Sequence, residues 1–357
     1  MANRSKAFNV ELVGFPGLQE KYFNLVSAAL FLVYIISLAA NGTVIGLVIM
    51  KKQLYQPMYV IIANLAASDL IFDTLTLPKI VARYWFGSGS MSFSECLFQM
   101  FSVHYLGTVD SFIIMLMAVD RYVAICKPLR YPSIMTNRVT GLSCSLCWIM
   151  TTSTPSVMLY LNAQISYCGR YKIIGCFCTN MGVNALSCTD ITYTRQVVFG
   201  LAMVVLLGPL SFIISSYIII LTTIHSSSQF VSGKKAFYTC STHLIVIGLY
   251  YTPRVFFYSF NQIYPMFTTD QSILILCVYT YVPHMASPII YCLRTKEIKQ
   301  ICRNLFPNKI CGELLKDIDV VEFRRGPLKR GMVCRMKIIM KDQGILIRLT
   351  LPAAQCA

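Results

Sequence analysis

Apolar residues along this chain gather into long blocks separated by short polar connections, and block length settles the first question. A helix needs roughly 20 consecutive apolar residues to cross the hydrocarbon core of a bilayer. Seven blocks meet that length: Phe23–Met50, Met58–Ile80, Cys96–Tyr122, Thr140–Asn162, Val197–Thr223, Phe237–Phe260 and Ser272–Leu293. The first, fourth and fifth contain no charged residue, and the others carry one or more ionisable side chains. The pattern predicts an all-α membrane protein, a bundle of seven transmembrane helices. Residues 1–22 precede the first block as a polar N-terminal segment. The bundle occupies 23–293, an amphipathic cytoplasmic helix 294–306, and a basic tail, expected to be disordered, 307–357.

Composition agrees. Of 357 residues, 56% are hydrophobic and 13% charged, against about 25% charged in an ordinary soluble domain. The net charge of +16 raises the question of nucleic acid. The basic residues, however, sit mostly between apolar blocks and in the tail, where cytoplasmic loops of membrane proteins collect them. After Phe306 the tail holds ten Lys/Arg against five Asp/Glu. Nucleic acid is therefore not an expected partner; lipid is.

The same residues orient the chain. Lys51, Lys52, Arg121, Lys127, Arg130, Arg138, Lys234, Lys235, Arg294, Lys296, Lys299, Arg303 and Lys309 fall on one side, thirteen against eight on the other. That bias puts the N-terminus outside and the C-terminus in the cytoplasm. No cleavable signal peptide is read at the start. Asn3-Arg4-Ser5 is then a usable glycosylation sequon, whereas Asn41-Gly42-Thr43 lies inside an apolar block. Of fifteen cysteines, Cys168, Cys176, Cys178 and Cys188 cluster in the connection between blocks four and five, and Cys96 sits at the outer end of block three. On an oxidising face such a cluster suggests disulfides. A zinc site is the competing reading, though no histidine stands nearby. Five cysteines cannot all pair.

Block three ends in Met117-Ala118-Val119-Asp120-Arg121-Tyr122-Val123-Ala124-Ile125-Cys126-Lys127-Pro128-Leu129-Arg130-Tyr131. Other motifs accompany it: Asn41-Gly42, Pro57-Met58-Tyr59, Leu65-Ala66-Ala67-Ser68-Asp69-Leu70 and Ser216-Tyr217. Lys235-Ala236-Phe237-Tyr238-Thr239-Cys240-Ser241-Thr242-His243-Leu244 opens block six, and Pro288-Ile289-Ile290-Tyr291 closes block seven. The set resembles the vertebrate odorant receptors, a rhodopsin-like G-protein-coupled family, over roughly residues 10–305. Arg294-Thr295-Lys296 leans toward the fish-like subgroup.

The resemblance implies disulfides Cys96–Cys178 and Cys168–Cys188, leaving Cys176 unpaired. It implies a switch in which Asp120 holds Arg121 at rest, beside Tyr122, with Tyr217 and Tyr291 swinging inward on activation. Arginine's rigid fork suits both the resting pair and the carbonyls of a docking G-protein helix. Asp69 and Asp110 fall at mid-depth and face one another in this family. Two close carboxylates need sodium or a shared proton between them. Asp73, one turn from Asp69, belongs to the same network or adds a second polar contact. His243 reads as a hydrogen-bonded or solvated histidine rather than a pH switch. Three departures stand out: Ser287 where the family carries Asn before the proline, a tail about 40 residues longer, and the additional Cys176.

The family's ligand cavity lies in the outer half. His104, Gly107 and Thr108 share one face of block three, and Tyr251, Arg254, Val255 and Tyr258 share one face of block six. Val103 occupies the position where amine receptors place an aspartate, which argues against a biogenic amine. His104 and Arg254 are candidate partners for an acidic or strongly polar odorant. Alternatively Arg254 snorkels or pairs in the loops, and His104 is a neutral core residue. No metal-ligand motif, nucleophile elbow or phosphate loop suggests an enzyme. Transmembrane aspartates also occur in transporters, but no internal repeat supports that class. The expected mechanism is a population shift on odorant binding, followed by coupling to the olfactory-type stimulatory G protein and cyclic AMP, in olfactory neuron cilia. A rhodopsin-like receptor for another small ligand outside the olfactory system is the alternative.

Overall fold

The computed structural model describes residues 8–169, 171–226, 230–263, 267–294, 321–326, 333–340 and 345–351. The chain divides into a unit Met1–Ile289 and a unit Ile290–Ala357. The spans are α1 (Phe23–Met50), α2 (Pro57–Phe86) and α3 (Phe93–Cys126), then α5 (Asn137–Met150) with α6 (Ser153–Ala163) as the fourth. The remaining three are α8 (Thr192–Ser226), α9 (Phe230–Ile263) and α10 (Thr269–Arg294). Two short helices, α4 (Tyr131–Ile134) and α7 (Asn180–Asn184), lie in the connections. Among the described residues, four of the helices are long and apolar enough to cross a membrane on length and composition alone.

The first span shows what solvent these helices are built for. Its exposed positions include Leu25, Phe31, Leu32, Ile35 and Ile36, while its buried ones include Ser27, Ser37 and Asn41. Small and polar residues between helices with aliphatic residues outside is the arrangement lipid favours. Ser27 donates to the Val81 carbonyl at 3.1 Å, which fixes α1 on α2. Helix α3 is central, packing on α2, α5, α6, α8 and α9. A capping box starts it: Ser92 Oγ accepts from Glu95 N at 3.2 Å, and Glu95 accepts from Ser92 N at 2.9 Å.

The fourth span differs from the unbroken block Thr140–Asn162 that apolar length predicts. It breaks at Thr151 and Thr152, between α5 and α6. Pro155 has no N–H for the Thr151 carbonyl and crowds it. The Thr151 hydroxyl donates back to Cys147 O at 2.8 Å, completing the end of α5.

The leading segment is also more than a polar extension. Asn9–Gly14 forms β1, which pairs antiparallel with β2 (Ser90–Ser92) and parallel with β3 (Lys172–Ile174). Val10 and Leu12 point down and are buried, as strand alternation requires. This three-stranded roof rests on an outer core of Phe72, Ile80, Met100, Phe177 and Tyr281. At the end of β1, Gly14 has φ +78°, and the N–H of the next residue, Phe15, donates to the Tyr84 hydroxyl at 2.8 Å.

In the second unit, Val321–Gly326, Val333–Met340 and Ile345–Leu351 form β4, β5 and β6, an antiparallel sheet in that order. Composition pointed instead to a disordered tail. The segment Ile345-Leu346-Ile347-Arg348-Leu349-Thr350-Leu351 is rich in β-formers despite its charged surroundings. The amphipathic helix expected over 294–306 and the Asn3 sequon lie outside the described residues, apart from Arg294 at the end of α10.

Candidate functional site

At the cytoplasmic end of α3, Asp120 is completely buried and held from two sides. Arg121 Nε donates to its Oδ2 at 2.9 Å, and Tyr131 on α4 donates its hydroxyl to Oδ1 at 2.8 Å. Burial, then the neighbouring carboxylate, keeps the Tyr131 phenol well above its ordinary value, so it remains a donor. Tyr122 lies 6.0 Å from the Lys127 ammonium. Tyr217 is buried on α8 and Tyr291 near the end of α10. Asp120 is thus paired with Arg121, and Tyr131 is a second partner that the motif alone did not assign.

At mid-depth the two predicted aspartates have a third and a fourth partner. His284 on α10 sits with Nε2 at 3.5 Å from Asp69 Oδ1 and 4.0 Å from Asp110 Oδ2. Its Nδ1 lies 2.7 Å from Asp73 Oδ1, whose other oxygen accepts from Ser37 Oγ. Asn41 donates to the His284 carbonyl at 3.1 Å, tying α1 to α10. Among the described residues, neither Asp110 oxygen nor His284 Nε2 has a hydrogen-bond partner; the Ser68 hydroxyl nearby points instead to Leu106 O at 3.5 Å. Toward the gap where sodium or a shared proton is expected, Asp69 and Asp110 present carboxylate oxygens and His284 adds a nitrogen beside them. No residue near Met285-Ala286-Ser287-Pro288 marks His284 in the sequence; only the fold reveals it.

In the outer half, α3 and α9 are joined by hydroxyls. Tyr250 donates to Gly107 O at 2.6 Å, and Tyr251 Oη lies 2.7 Å from Ser111 Oγ, itself 3.1 Å from Val205 O on α8. Thr108 turns back to His104 O at 2.8 Å. His104 Nε2 accepts from Asn180 N at 3.2 Å. An accepting nitrogen carries no proton, so His104 anchors the loop helix α7 as a neutral imidazole rather than serving as a cation. Beside it, Asn180 Nδ2 and Asn184 Oδ1 are buried with no hydrogen-bond partner among the described residues.

Arg254 is different. Only 8% exposed, it lies with its guanidinium 3.7 Å from the centre of the Tyr250 ring and 5.3 Å from that of Tyr279 on α10. Nη1 donates to Tyr250 O at 2.9 Å. Among the described residues no carboxylate lies within ion-pair distance of it. It neither snorkels nor pairs in the loops. Tyr258, half-buried one turn on, hydrogen-bonds Tyr279, and Val255 is half-buried beside it.

Cys96 is bonded to Cys178, and Cys168 to Cys188 within the loop. Cys176 is a thiol, but it is not isolated: Cys277 Sγ on α10 donates to it at 3.2 Å.

A seven-span bundle with a loop tied to its third helix, buried polar side chains in its outer half and a paired arginine at the inner end is the build of a rhodopsin-like membrane receptor. Squid rhodopsin superimposes with a TM-score of 0.69 over 88% of this chain and 97% of that one, at 15% identity, a likeness of fold. The family model described as olfactory receptor matches residues 30–309. Olfactory receptor 52B6 of Homo sapiens is 36% identical over 84% of this chain and 90% of its own length. Olfactory receptor 56B34 of Mus musculus is 34% identical, covering 83% of this chain and 91% of its own. The chain belongs to the olfactory receptor family. It is accordingly a multi-pass plasma-membrane receptor that couples a small-molecule ligand to a G protein, and not an enzyme.

Proposed function

We propose that this receptor recognises small organic anions, carboxylates foremost, in the outer cavity bordered by His104, Gly107, Thr108, Tyr251, Arg254, Val255 and Tyr258. The observation that carries the reading is Arg254: a buried guanidinium on two tyrosine faces with no carboxylate within ion-pair distance among the described residues, Asp69 and Asp110 acting on it only from farther off. A charge at this depth is costly unless something neutralises it, and an anionic ligand supplies what the protein omits. Arginine's fork binds a carboxylate through paired hydrogen bonds. Binding favours the active arrangement; Arg121 leaves Asp120, and an olfactory-type stimulatory G protein docks and raises cyclic AMP, in the cilia of olfactory neurons. Family membership supports the coupling and the location, and Val103 supports exclusion of amines.

The test is cyclic AMP in cells expressing the full chain, exposed to carboxylic acids and to alcohols, aldehydes and amines of equal chain length. Acids should be the active group. Losing one charge-assisted bond is worth about 1.5–3 kcal/mol, so Arg254→Gln should raise the acid concentration for half-maximal response roughly 10- to 100-fold. Arg254→Lys should recover part of that. Equal responses to neutral odorants, unmoved by Arg254→Gln at matched surface level, would overturn the reading.

A further inference from the structure

We infer that the three-stranded sheet of the tail is an anchor for the anionic inner leaflet of the membrane. Its register sorts the residues onto two unlike faces. Phe323 stands opposite Met336, and Met336 opposite Leu349; Val321, Ile338 and Ile347 form the next row on the same face. Of the eleven residues sharing that face, only Arg325, opposite Cys334, is charged. The other face carries Arg324 opposite Arg335 and Lys337 opposite Arg348, with Glu322 as its one acidic residue.

Each face calls for something the sheet does not supply. Like charges directly across from one another destabilise a strand pair. Here two such cation pairs recur in adjacent strands, four basic residues against one acidic, so the face suits an array of anions. A three-stranded sheet also depends on covering its apolar face. The described residues of its unit are only these strands and the last residues of α10, which provide no second layer.

One surface meets both demands. The tail follows span seven on the cytoplasmic side, and 26 residues lie between Arg294 and Val321, so β4 begins within about 90 Å of the leaflet. Anionic headgroups of that leaflet attract basic segments next to a span. An amphipathic element with one apolar and one Lys/Arg face lies in the interface plane, its apolar face about 5–10 Å into the acyl boundary. The dimensions of a sheet fit. Packed sheets stand about 10 Å apart, so each face reaches roughly 5 Å from the backbone, and the headgroup layer is about 5–7 Å thick. With the Phe323 face among the acyl ends, the Arg335 face falls at the phosphates. The sheet goes no deeper, because β4 and β6 are edge strands with open backbone groups, which hydrocarbon does not tolerate. A soluble polyanion leaves the apolar face in water, and a second copy stacked on that face leaves the cation pairs unanswered.

This inference is independent of ligand class, and its test does not use signalling. The full-length receptor is placed one copy per nanodisc, in phosphatidylcholine alone or in equal parts phosphatidylcholine and phosphatidylserine. Chymotrypsin, which cuts after residues such as Phe323 and Leu349, reports how often the strands stand free, and mass spectrometry of the released fragments gives the rate. A basic residue held at an anionic surface contributes roughly a fivefold preference. Three net charges should therefore slow cleavage of the strands roughly 100-fold in the phosphatidylserine discs. Arg335→Gln with Lys337→Gln should cut that ratio to roughly fivefold and leave the rate in phosphatidylcholine unchanged, since it removes two repulsions. Arg335→Lys with Lys337→Arg should keep the wild-type ratio. Equal wild-type rates in the two lipids would overturn the anchor. So would faster cleavage of the Gln pair in phosphatidylcholine, which would mean that the cations only hold the sheet together. Protection that appears only with two receptors per disc would assign the apolar face to a second copy, and equal protection by soluble heparin in phosphatidylcholine would assign the cations to a polyanion; either result overturns it too.

Discussion

Removing one hydroxyl from the second intracellular connection should awaken this receptor without odorant. Tyr131 donates to the buried Asp120 carboxylate at 2.8 Å while Arg121 covers the other oxygen. In Tyr131→Phe the ring stays and the bond is lost. A hydrogen bond to a charged group contributes about 1.5–3 kcal/mol. If that bond exists only while Arg121 is paired, its loss lowers the ratio of resting to active receptor by roughly 10- to 100-fold. A receptor active about 1% of the time would then be active about 10% to 50% of the time. The assay is basal cyclic AMP per surface receptor in unstimulated cells. Asp120→Asn should raise it as well, and the double variant should fall short of the product of the two effects, because both act on one contact. Unchanged basal signalling in Tyr131→Phe, at equal surface density, would refute the clamp.

Two further outcomes follow from packing. A Cβ on Gly14 would stand 2.1 Å from the Tyr84 hydroxyl, at a positive φ; Gly14→Ala should therefore cost about 1–3 kcal/mol and lower the melting temperature and surface level, and an unaltered melting curve would count against the roof as described. Cys176 and Cys277 are buried in mutual contact, and that contact with burial holds the Cys176 thiol well above its ordinary value. Both should resist a membrane-impermeant maleimide in the folded receptor and react after denaturation, as mass spectrometry of labelled peptides would show; rapid labelling of either in the native state would contradict the packing.

What was legible in the sequence depended on how local its cause was. Block one agrees with α1 at both ends, Phe23 and Met50, because nothing but apolar length defines it. The long motif around Arg121 pointed to its pairing with Asp120 at the end of α3. The break in the fourth span was written in Thr151, Thr152 and Pro155, yet apolar length concealed it. Strand β1 had a period-two signal in Val10 and Leu12, too short to stand out beside helical blocks. His284 had no local signal at all: its partners Asp69, Asp73 and Asp110 lie on two other helices, and only packing brings them together. The same is true of Cys277, whose neighbour Cys176 had been the cysteine left over.

The roof sets an order on biosynthesis. Strand β1 is made before the first span, whereas β2 follows the second span and β3 the fourth. Until the second outer loop has been made and delivered, β1 has no partner on its β3 edge, and Val10 and Leu12 wait exposed to water or to whatever escorts the nascent chain. Closure of the three strands is thus a late event that joins a segment made before the first span to one made after the fourth. A chain stalled or misinserted before its fourth span displays an open strand edge on the lumenal side, a flag that cellular quality control can read before the receptor reaches the surface.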